Sequence, residues 1–568
     1  MSLRTPYIER LGEGIPHDYH PRPQLRRQEY RILNGYWDFS LSESEAVEEY
    51  ESKILVPFCP ESEASGICKS VLPEHYMHYR LVFSEEGKRE GKRTVLHFGA
   101  VDSVCEVYLN GVPVGKHEGG YIPFSFDVTD TIREGDNEIR VVARDGLDHK
   151  YPYGKQKYDR GGMWYTPVSG IWQTVWLEYM PTCHVADIKI TPMMDGVKIA
   201  VTGGAEHKRI TLKDSGEIFE FDGAIGFVKP KNVNVWSPES PYLYEFTLEC
   251  GEDVIDSYFA IRWLDIREHN GKMRLCLNGE PYLFNGMLDQ GYYPDGIFMP
   301  STVDGYTDDI RLTKSLGFNM LRKHIKIEPM IFYYLCDKMG VAVFQDMVNN
   351  GDYKFLRDTV LPTVSTNLGQ RLNDVNFSKN PEVRAIFEDS MYATADLLYN
   401  SPSVVYYTIF NEGWGQFSAD ETYDKLRAYD KTRFIDATSG WFRRTKSDVD
   451  SRHIYFRKLK PKHLDGRPLV ISEFGGYAHS VKGHVYSEKI YGYRTYDSRE
   501  EYENEVCKLY DTEVRELVKS GASAFVYTQV SDVEDEINGL VTYDRRVVKV
   551  DEERLRKINL ELANLSNS

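Results

Sequence analysis

The sequence predicts a multidomain chain of β and α/β structure, two antiparallel β-sandwiches followed by a closed (β/α)8 barrel, and three observations carry that reading. At 568 residues the chain exceeds a single core, given about 100 to 200 residues per domain. Short alternating apolar runs separated by turn residues fill its first half. Past Asn270 strand-like runs alternate with helical periods, which is how a parallel sheet is built.

The first domain, read as residues 1–180, contains Arg93–Phe98 (RTVLHF), Val104–Leu109 (VCEVYL) followed by Asn110-Gly111, and Glu138–Ala143 (EIRVVA) after Gly135-Asp136-Asn137. Asn-Gly between apolar runs is a strong hairpin signal, and its recurrence without helical periodicity predicts an antiparallel sandwich. Residues 181–269 continue the alternation in Asp187–Thr191, Val197–Val201, Tyr242–Leu248 and Val254–Phe259. That length suits a small immunoglobulin-like sandwich.

Residues 270–568 are read as the barrel. Eight candidate strands follow in order: Leu283–Met287, Asn319–Arg322, Ala342–Gln345, Val404–Phe410, Phe434–Ala437, His453–Phe456, Leu469–Ser472 and Ala524–Thr528. The clearest helix is 381–398, where Pro381 opens the first turn and Val383, Ile386, Phe387, Met391, Ala395 and Leu398 recur at steps of three and four. The longest insertion, about Val348 to Lys379, follows the third strand and reads as a wall of a pocket.

Composition removes several functions. A formal net charge of -18 repels polyanions, and no basic run interleaved with aromatics overrides it, so no nucleic acid is expected as a partner. The eight cysteines lack a CxxC pair, so neither a zinc site nor a disulfide framework is signalled. The first residues, MSLRTPYIERLGEGIPHDYH, carry charge and proline where a secretory signal needs an apolar stretch. No run reaches the ~18 apolar residues of a membrane span. A cytoplasmic protein with no membrane partner is the expectation.

Barrel chemistry sits at the C-terminal ends of the strands. Two of those ends carry glutamates in similar settings: strand four runs into Asn411-Glu412-Gly413-Trp414-Gly415, and strand seven into Glu473-Phe474-Gly475-Gly476. Strands four and seven face each other across a barrel mouth, which brings two carboxyl groups to one sugar. A gap of about 5 to 5.5 Å makes the second a nucleophile, and about 6.5 to 9.5 Å admits a water; spacing along the chain leaves both open. Trp414 and the glycine-flanked loop would shield Glu412 and keep it protonated as an acid, while Glu473 needs donors, of which Tyr455 is one.

Taken together, Leu33–Phe39 (LNGYWDF), Val107–Gly111 (VYLNG), His117–Phe126 (HEGGYIPFSF), Gly170–Leu177 (GIWQTVWL), Leu277–Gly286 (LNGEPYLFNG), Asn411-Glu412, Ser472-Glu473-Phe474-Gly475 and Tyr527–Arg545 resemble glycoside hydrolase family 2 over nearly the whole chain. The resemblance implies a jelly-roll sugar-binding-like domain, an immunoglobulin-like sandwich and a catalytic barrel. It also implies retention of configuration, with Glu412 as acid/base and Glu473 as nucleophile. Two departures stand out. The family's Arg-Thr-Ser-His-Tyr-Pro stretch reads Arg322-Lys323-His324-Ile325-Lys326-Ile327-Glu328-Pro329 here, and the Asn-x-Lys pair of its glucuronidases falls near Glu536 to Asn538, with no lysine.

Strand-end position adds Asn411, Asp289, Gln290, His324, Asp346, Trp414, Trp441, His453, Tyr455, Gln529 and Asp532 as candidate sugar contacts. Tyr158, Trp164 and Tyr165 lie in a first-domain loop, 151–170, that could trim the mouth into a pocket for a terminal sugar. The expectation is a retaining exo-β-glycosidase acting on an oligosaccharide or small glycoside with a neutral terminal sugar, galactose first. Its alternatives are a β-glucosidase, β-mannosidase or β-glucuronidase and, in another class, a non-catalytic carbohydrate-binding protein. No cofactor and no metal is expected, and the sandwich domains offer surfaces for a homo-oligomer.

Overall fold

The computed structural model describes all residues except 1–2, 13, 361–373, 375–377, 461–464 and 567–568. Alternating burial explains the first sandwich. A six-stranded sheet (Ser52–Val56, Gly35–Ser42, Tyr76–Glu86, Glu134–Arg144, Val104–Leu109, Val112–Glu118) faces a four-stranded one (Tyr30–Ile32, Val175–Pro181, Lys92–Phe98, Phe124–Asp127). Between them Trp37, Phe39, Tyr79, Leu96, Phe98, Val141 and Leu177 form one buried core, as period-two patterning requires.

A second sandwich follows, with sheets of three strands (Val185–Pro192, Val197–Gly203, Ile225–Val228) and four strands (Ile218–Asp222, His207–Leu212, Tyr244–Cys250, Asp253–Phe259). The residues before Tyr30 run over the other two units: Leu25 enters the core of the second sandwich, and Thr5 Oγ1 donates to Asp295 Oδ2 at 2.9 Å in the barrel.

The barrel strands are β1 (Phe284–Asp289), β2 (Met320–Lys323), β3 (Ala342–Asp346), β4 (Val404–Asn411), β5 (Phe434–Ser439), β6 (Asp450–Ile454), β7 (Leu469–Gly475) and β8 (Ala524–Thr528). They pair in parallel in the order β5-β4-β3-β2-β1-β8-β7-β6. Among the described residues no ladder joins β5 to β6; side chains span that seam, Ser439 Oγ lying 3.4 Å from Ser451 Oγ. The helix Pro381–Leu398 begins as the sequence predicts, with Asn380 Oδ1 accepting from the Glu382 amide at 3.0 Å. Half of the predicted 348–379 wall, residues 361–373 and 375–377, lies outside the described residues.

The hairpin of Leu264–His269 and Lys272–Leu277 plugs the N-terminal end of the barrel. Leu275 and Leu277 join Phe284, Met320, Ala342, Phe344, Tyr406, Phe434, Val470 and Ala524 in one apolar cluster. That end is therefore packed shut, and polar chemistry is confined to the opposite end. Among the described residues no helix is long and apolar enough to cross a membrane.

Barrel closure leaves no room between β1 and β2 at Gly286, where an added Cβ would lie 1.8 Å from the Met320 carbonyl oxygen. Gly286→Ala should cost about 3 kcal/mol or more through overpacking, seen as a lower thermal midpoint and a lower soluble yield. An unchanged midpoint would contradict that close approach.

Candidate active site

Two backbone irregularities aim the glutamates. Glu412 follows β4 in the left-handed region, φ 55°, and so does Gly413, φ 78°; a Cβ on Gly413 would strike the Phe442 ring at 2.3 Å. This turn, tied to β5 by the Glu412 amide donating to Ser439 O at 3.0 Å, takes the side chain out of the strand alternation. In β7 the pairing with β6 jumps from Arg452↔Ile471 to His453↔Glu473. The extra residue, Ser472, is a β-bulge of the kind that re-aims side chains near active sites. As a result one oxygen of Glu412, one of Glu473 and a ring nitrogen of His453 all lie within 4.8 Å of one another.

Arg322, at the end of β2 and 1% exposed, organises the floor. It donates to Asp346 Oδ1 (2.9 Å), Glu473 Oε1 (3.0 Å), Ser472 O (2.9 Å) and Asn411 Oδ1 (2.9 Å). Tyr455 donates to Glu473 Oε2 and lies 3.1 Å from Thr528 Oγ1. His324 Nδ1 pairs with Asp346 Oδ2 at 2.6 Å, and His453 Nδ1 with Glu412 Oε1 at 2.6 Å.

These environments separate two identical side chains. Burial alone would raise the Glu473 carboxyl, but His453, Arg322, His324 and the Tyr455 hydroxyl outweigh it and hold it at about 2. Glu412 is raised above the usual range, by burial first and by the Glu473 charge, against the opposing pull of His453 and of Lys155. At neutral pH Glu473 is an anion while Glu412 keeps a higher affinity for a proton. This is the division a general acid and a nucleophile require. Three ligand atoms are also the fewest that would bind a metal, but the Arg322 guanidinium already supplies Glu473 with a cation and opposes a second.

The remaining predicted residues divide. Asn411 sits beside the pair, its Oδ1 on Arg322. His324 and Asp346 form part of the floor. Trp441 stands at the mouth, its ring 6.1 Å from that of His453. Trp414 is buried beneath aromatics, 4.8 Å from Trp164 and 5.4 Å from Tyr353, and donates to the Tyr153 hydroxyl at 3.2 Å. Gln529 donates to Asn538 Oδ1 at 2.7 Å, and its own buried Oε1 has no partner among the described residues.

Four placements depart from expectation. Asp289 pairs in register with Lys323, on the face of the sheet opposite Arg322, and is consumed by the Lys323 ammonium at 2.6 Å. Asp532 holds Lys549 at 2.7 Å and the Gly539 amide at 2.8 Å; it fixes the loop after β8 and is raised to about 6 by burial. Gln290 is buried, and its Nε2 has no hydrogen-bond partner among the described residues. The His453 side chain is fully enclosed, at 0% exposure, and is in contact with the Glu412 carboxylate.

Sequence reasoning gave no role to Arg322, the serines Ser439, Ser451 and Ser472, or Lys155. For Arg322 the signals were its place at the end of a barrel strand and at the head of the stretch compared with the family's Arg-Thr-Ser-His-Tyr-Pro. The first-domain loop does reach the mouth: Tyr165 donates to Glu536 Oε2, Arg160 pairs with Glu534 at 3.2 Å, and the Tyr153 amide donates to Asn349 O at 3.0 Å.

Known proteins resemble this arrangement. Residues 53–168 match the family model for the glycosyl hydrolase 2 galactose-binding domain-like region, and residues 271–559 that for the TIM barrel domain of glycosyl hydrolases family 2. A β-galactosidase of Thermoanaerobacter pseudethanolicus is 29% identical over 312 residues, 48% of this chain and 41% of that protein. A putative β-glucuronidase of Formosa agariphila is 26% identical over 361 residues, 59% of this chain and 40% of that protein. The matched stretches thus span less than half of these relatives. Among solved structures, a Ruminococcus gnavus β-glucuronidase has a TM-score of 0.74 at 16% identity, covering 96% of this chain and 99% of that one. A β-galacturonidase of Eisenbergiella tayi has a TM-score of 0.69 at 19% identity, covering 96% and 99%. At these identities the structural likeness is one of fold.

Replacing Arg322 by methionine leaves Glu473 and Asp346 buried without their cation, at a cost of about 3 to 5 kcal/mol. Both carboxyls are held low in the native protein, and in the variant they would take up protons at higher pH. The stability deficit should therefore be largest at neutral pH and shrink toward pH 4.5. Thermal midpoints of both proteins across that range check this; a deficit independent of pH would contradict the assignment.

Proposed function

The chain belongs to glycoside hydrolase family 2, and from that premise we propose that it is a retaining exo-acting β-glycosidase in which Glu412 is the acid/base and Glu473 the nucleophile. The observation that carries the reading is the approach of the two carboxylates, with oxygens within 4.8 Å of each other. So close an approach supports direct attack on the anomeric carbon over attack by an intervening water. Glu473, anionic and held at both oxygens by Arg322 and Tyr455, attacks C1 while Glu412 protonates the departing oxygen. Water then releases the sugar with Glu412 as base.

An exo mode is supported by the first-domain loop, whose Tyr165, Arg160 and Trp164 meet Glu536, Glu534 and Trp414 at the mouth. A long polymer needs an open groove there. For the sugar, a neutral residue with galactose first is supported at the position where the glucuronidases' Asn-x-Lys pair would fall. Here Glu536 Oε1 accepts from Asn538 Nδ2 at 2.9 Å, and an acid there would repel a uronate carboxylate. One observation favours a second reading, a uronide: Lys155, from the first-domain loop, makes no ion pair among the described residues, yet its charge acts on both His324 and Glu412.

A panel of aryl β-galactoside, β-glucoside, β-mannoside, β-glucuronide and β-galacturonide separates these sugars, with Lys155→Met selectively damaging turnover only if a uronide is the substrate. For the best substrate, Glu473→Gln should lower kcat by several orders of magnitude with binding retained, and NMR of the first product should show the β-anomer. Less than a tenfold loss, or an α product, would refute the nucleophile assignment.

A further inference from the structure

The two catalytic carboxylates are anchored unequally. Glu473 has Arg322 and Tyr455, whereas Glu412 has a single side-chain partner among the described residues, Nδ1 of His453 at 2.6 Å. That imidazole has no freedom to swing: it is enclosed, and Gly440 passes so close that a Cβ there would lie 2.5 Å from the ring. Its other nitrogen, Nε2, is 3.0 Å from Ser439 Oγ and 3.6 Å from Glu473 Oε1.

Two features of the surroundings favour a proton at Nε2 of the ring. Behind Nε2 the hydroxyls of Ser439, Ser451 and Ser472 form a chain at 3.4 and 2.7 Å, ending with Ser472 donating to Arg452 O at 3.3 Å. With Ser472 donating to that carbonyl, the chain is satisfied when Ser439 donates onward to Ser451, and Ser439 Oγ then offers Nε2 a lone pair. The Glu473 anion on the same side also favours a proton at Nε2. Nδ1 then either accepts the acid proton of Glu412 or carries that proton itself.

Resting on the glycosidase reading above, we propose that the acid/base group is a Glu412–His453 pair sharing one proton, with His453 the positioning residue that retains it at the β5–β6 seam. In the first step the C1–O bond breaks, its electron pair stays on the aglycone oxygen, and that oxygen takes the shared proton as Glu473 bonds to C1. In the second step water attacks C1, returns a proton to the pair, and Glu473 leaves with its electron pair. Between the steps the Glu412 carboxylate faces a bare Nδ1. Two opposed lone pairs make the pair a strong base when one is required.

The charged and titratable groups facing the pair are Glu473 on β7, Arg322 behind it on β2, Asp436 on β5, Lys155 from the first domain and the phenols Tyr455, Tyr491 and Tyr493. All of them remain when His453 is replaced. His453→Asn substitutes an amide that donates to Glu412, and Ser439→Ala frees the Nδ1–H tautomer, which does the same more weakly. Both changes replace the shared proton by a fixed donor to Glu412, so the acid group gives up its proton at lower pH than the Glu412–His453 pair does.

The test compares wild type, His453→Asn and Ser439→Ala on a dinitrophenyl glycoside, which needs no acid, and a phenyl glycoside, which does, across pH. For His453→Asn the alkaline limb of kcat/KM on the phenyl substrate should fall by about one pH unit. Its value should drop about a hundredfold, against about fivefold or less on the dinitrophenyl substrate. Ser439→Ala should move the limb in the same direction by less. Equal losses on both substrates with unmoved limbs would overturn the proposal. If His453→Asn does not fold, a limb unmoved in Ser439→Ala overturns it alone. A wild type inert toward every aryl glycoside would overturn the glycosidase reading and this inference with it.

Discussion

A single buried guanidinium holds the catalytic end of this barrel together. Arg322 bonds Asp346 on β3, Asn411 on β4, and Glu473 and the Ser472 carbonyl on β7. Removing a cation from water is costly, and the cost is recovered only if most of its donors find good acceptors. Those acceptors come from strands on both sides of the mouth, so satisfying one side chain fixes the relative heights of four strands. The bulge at Ser472 is part of the same solution, because it turns Glu473 toward the guanidinium while the preceding carbonyl is captured by it.

The N-terminal sandwich adds what the barrel lacks, a wall. Its 151–170 loop is pinned at several points: Gly154 passes so near the Ile325 carbonyl that a Cβ would lie 2.8 Å away, and Tyr165 closes onto Glu536. A chain Tyr165–Glu536–Asn538–Gln529 then runs from the first domain to the end of β8. It leaves the buried Gln529 Oε1 unmatched among the described residues. An unsatisfied buried acceptor is expensive in a folded protein.

How far the sequence could be read follows from which features are periodic. Seven barrel strands were recoverable to within a few residues at each end because apolar runs alternate with helical ones. The sixth, expected at His453–Phe456, runs Asp450–Ile454, where charged residues break the apolar run. Glu412 and Glu473 were recoverable because each ends such a run beside glycine. Orientation was not recoverable. Asp289 and Arg322 both sit at the ends of neighbouring strands, yet Asp289 is consumed by Lys323 on one face while Arg322 faces the catalytic pair from the other. A one-residue uncertainty in a strand end reverses that assignment. The bulge at Ser472 and the left-handed turn at Glu412 lie further beyond reach, since neither has a local signature apart from the flanking glycines. His453 was found for its position on β6, but a histidine that supports carboxylates and one that touches sugar look alike until burial is known.

The difference between the two glutamates is thus a property of the seam and not of the residues. Glu473 lies at the β7 bulge, and receives a guanidinium from Arg322, fixed in the β1–β2–β3 ladders, and a phenol from Tyr455 just past β6. Glu412 lies beside the gap between β5 and β6, where no ladder is formed among the described residues and His453 and Ser439 bridge in its place. Rigid donors keep a carboxyl ionised, which suits the nucleophile's part in the proposed mechanism. A carboxyl anchored by one titratable ring keeps an exchangeable proton, which an acid that must later act as a base cannot do without. Closing that seam with a backbone ladder would make a more regular barrel, but it would also take away the gap in which the imidazole sits.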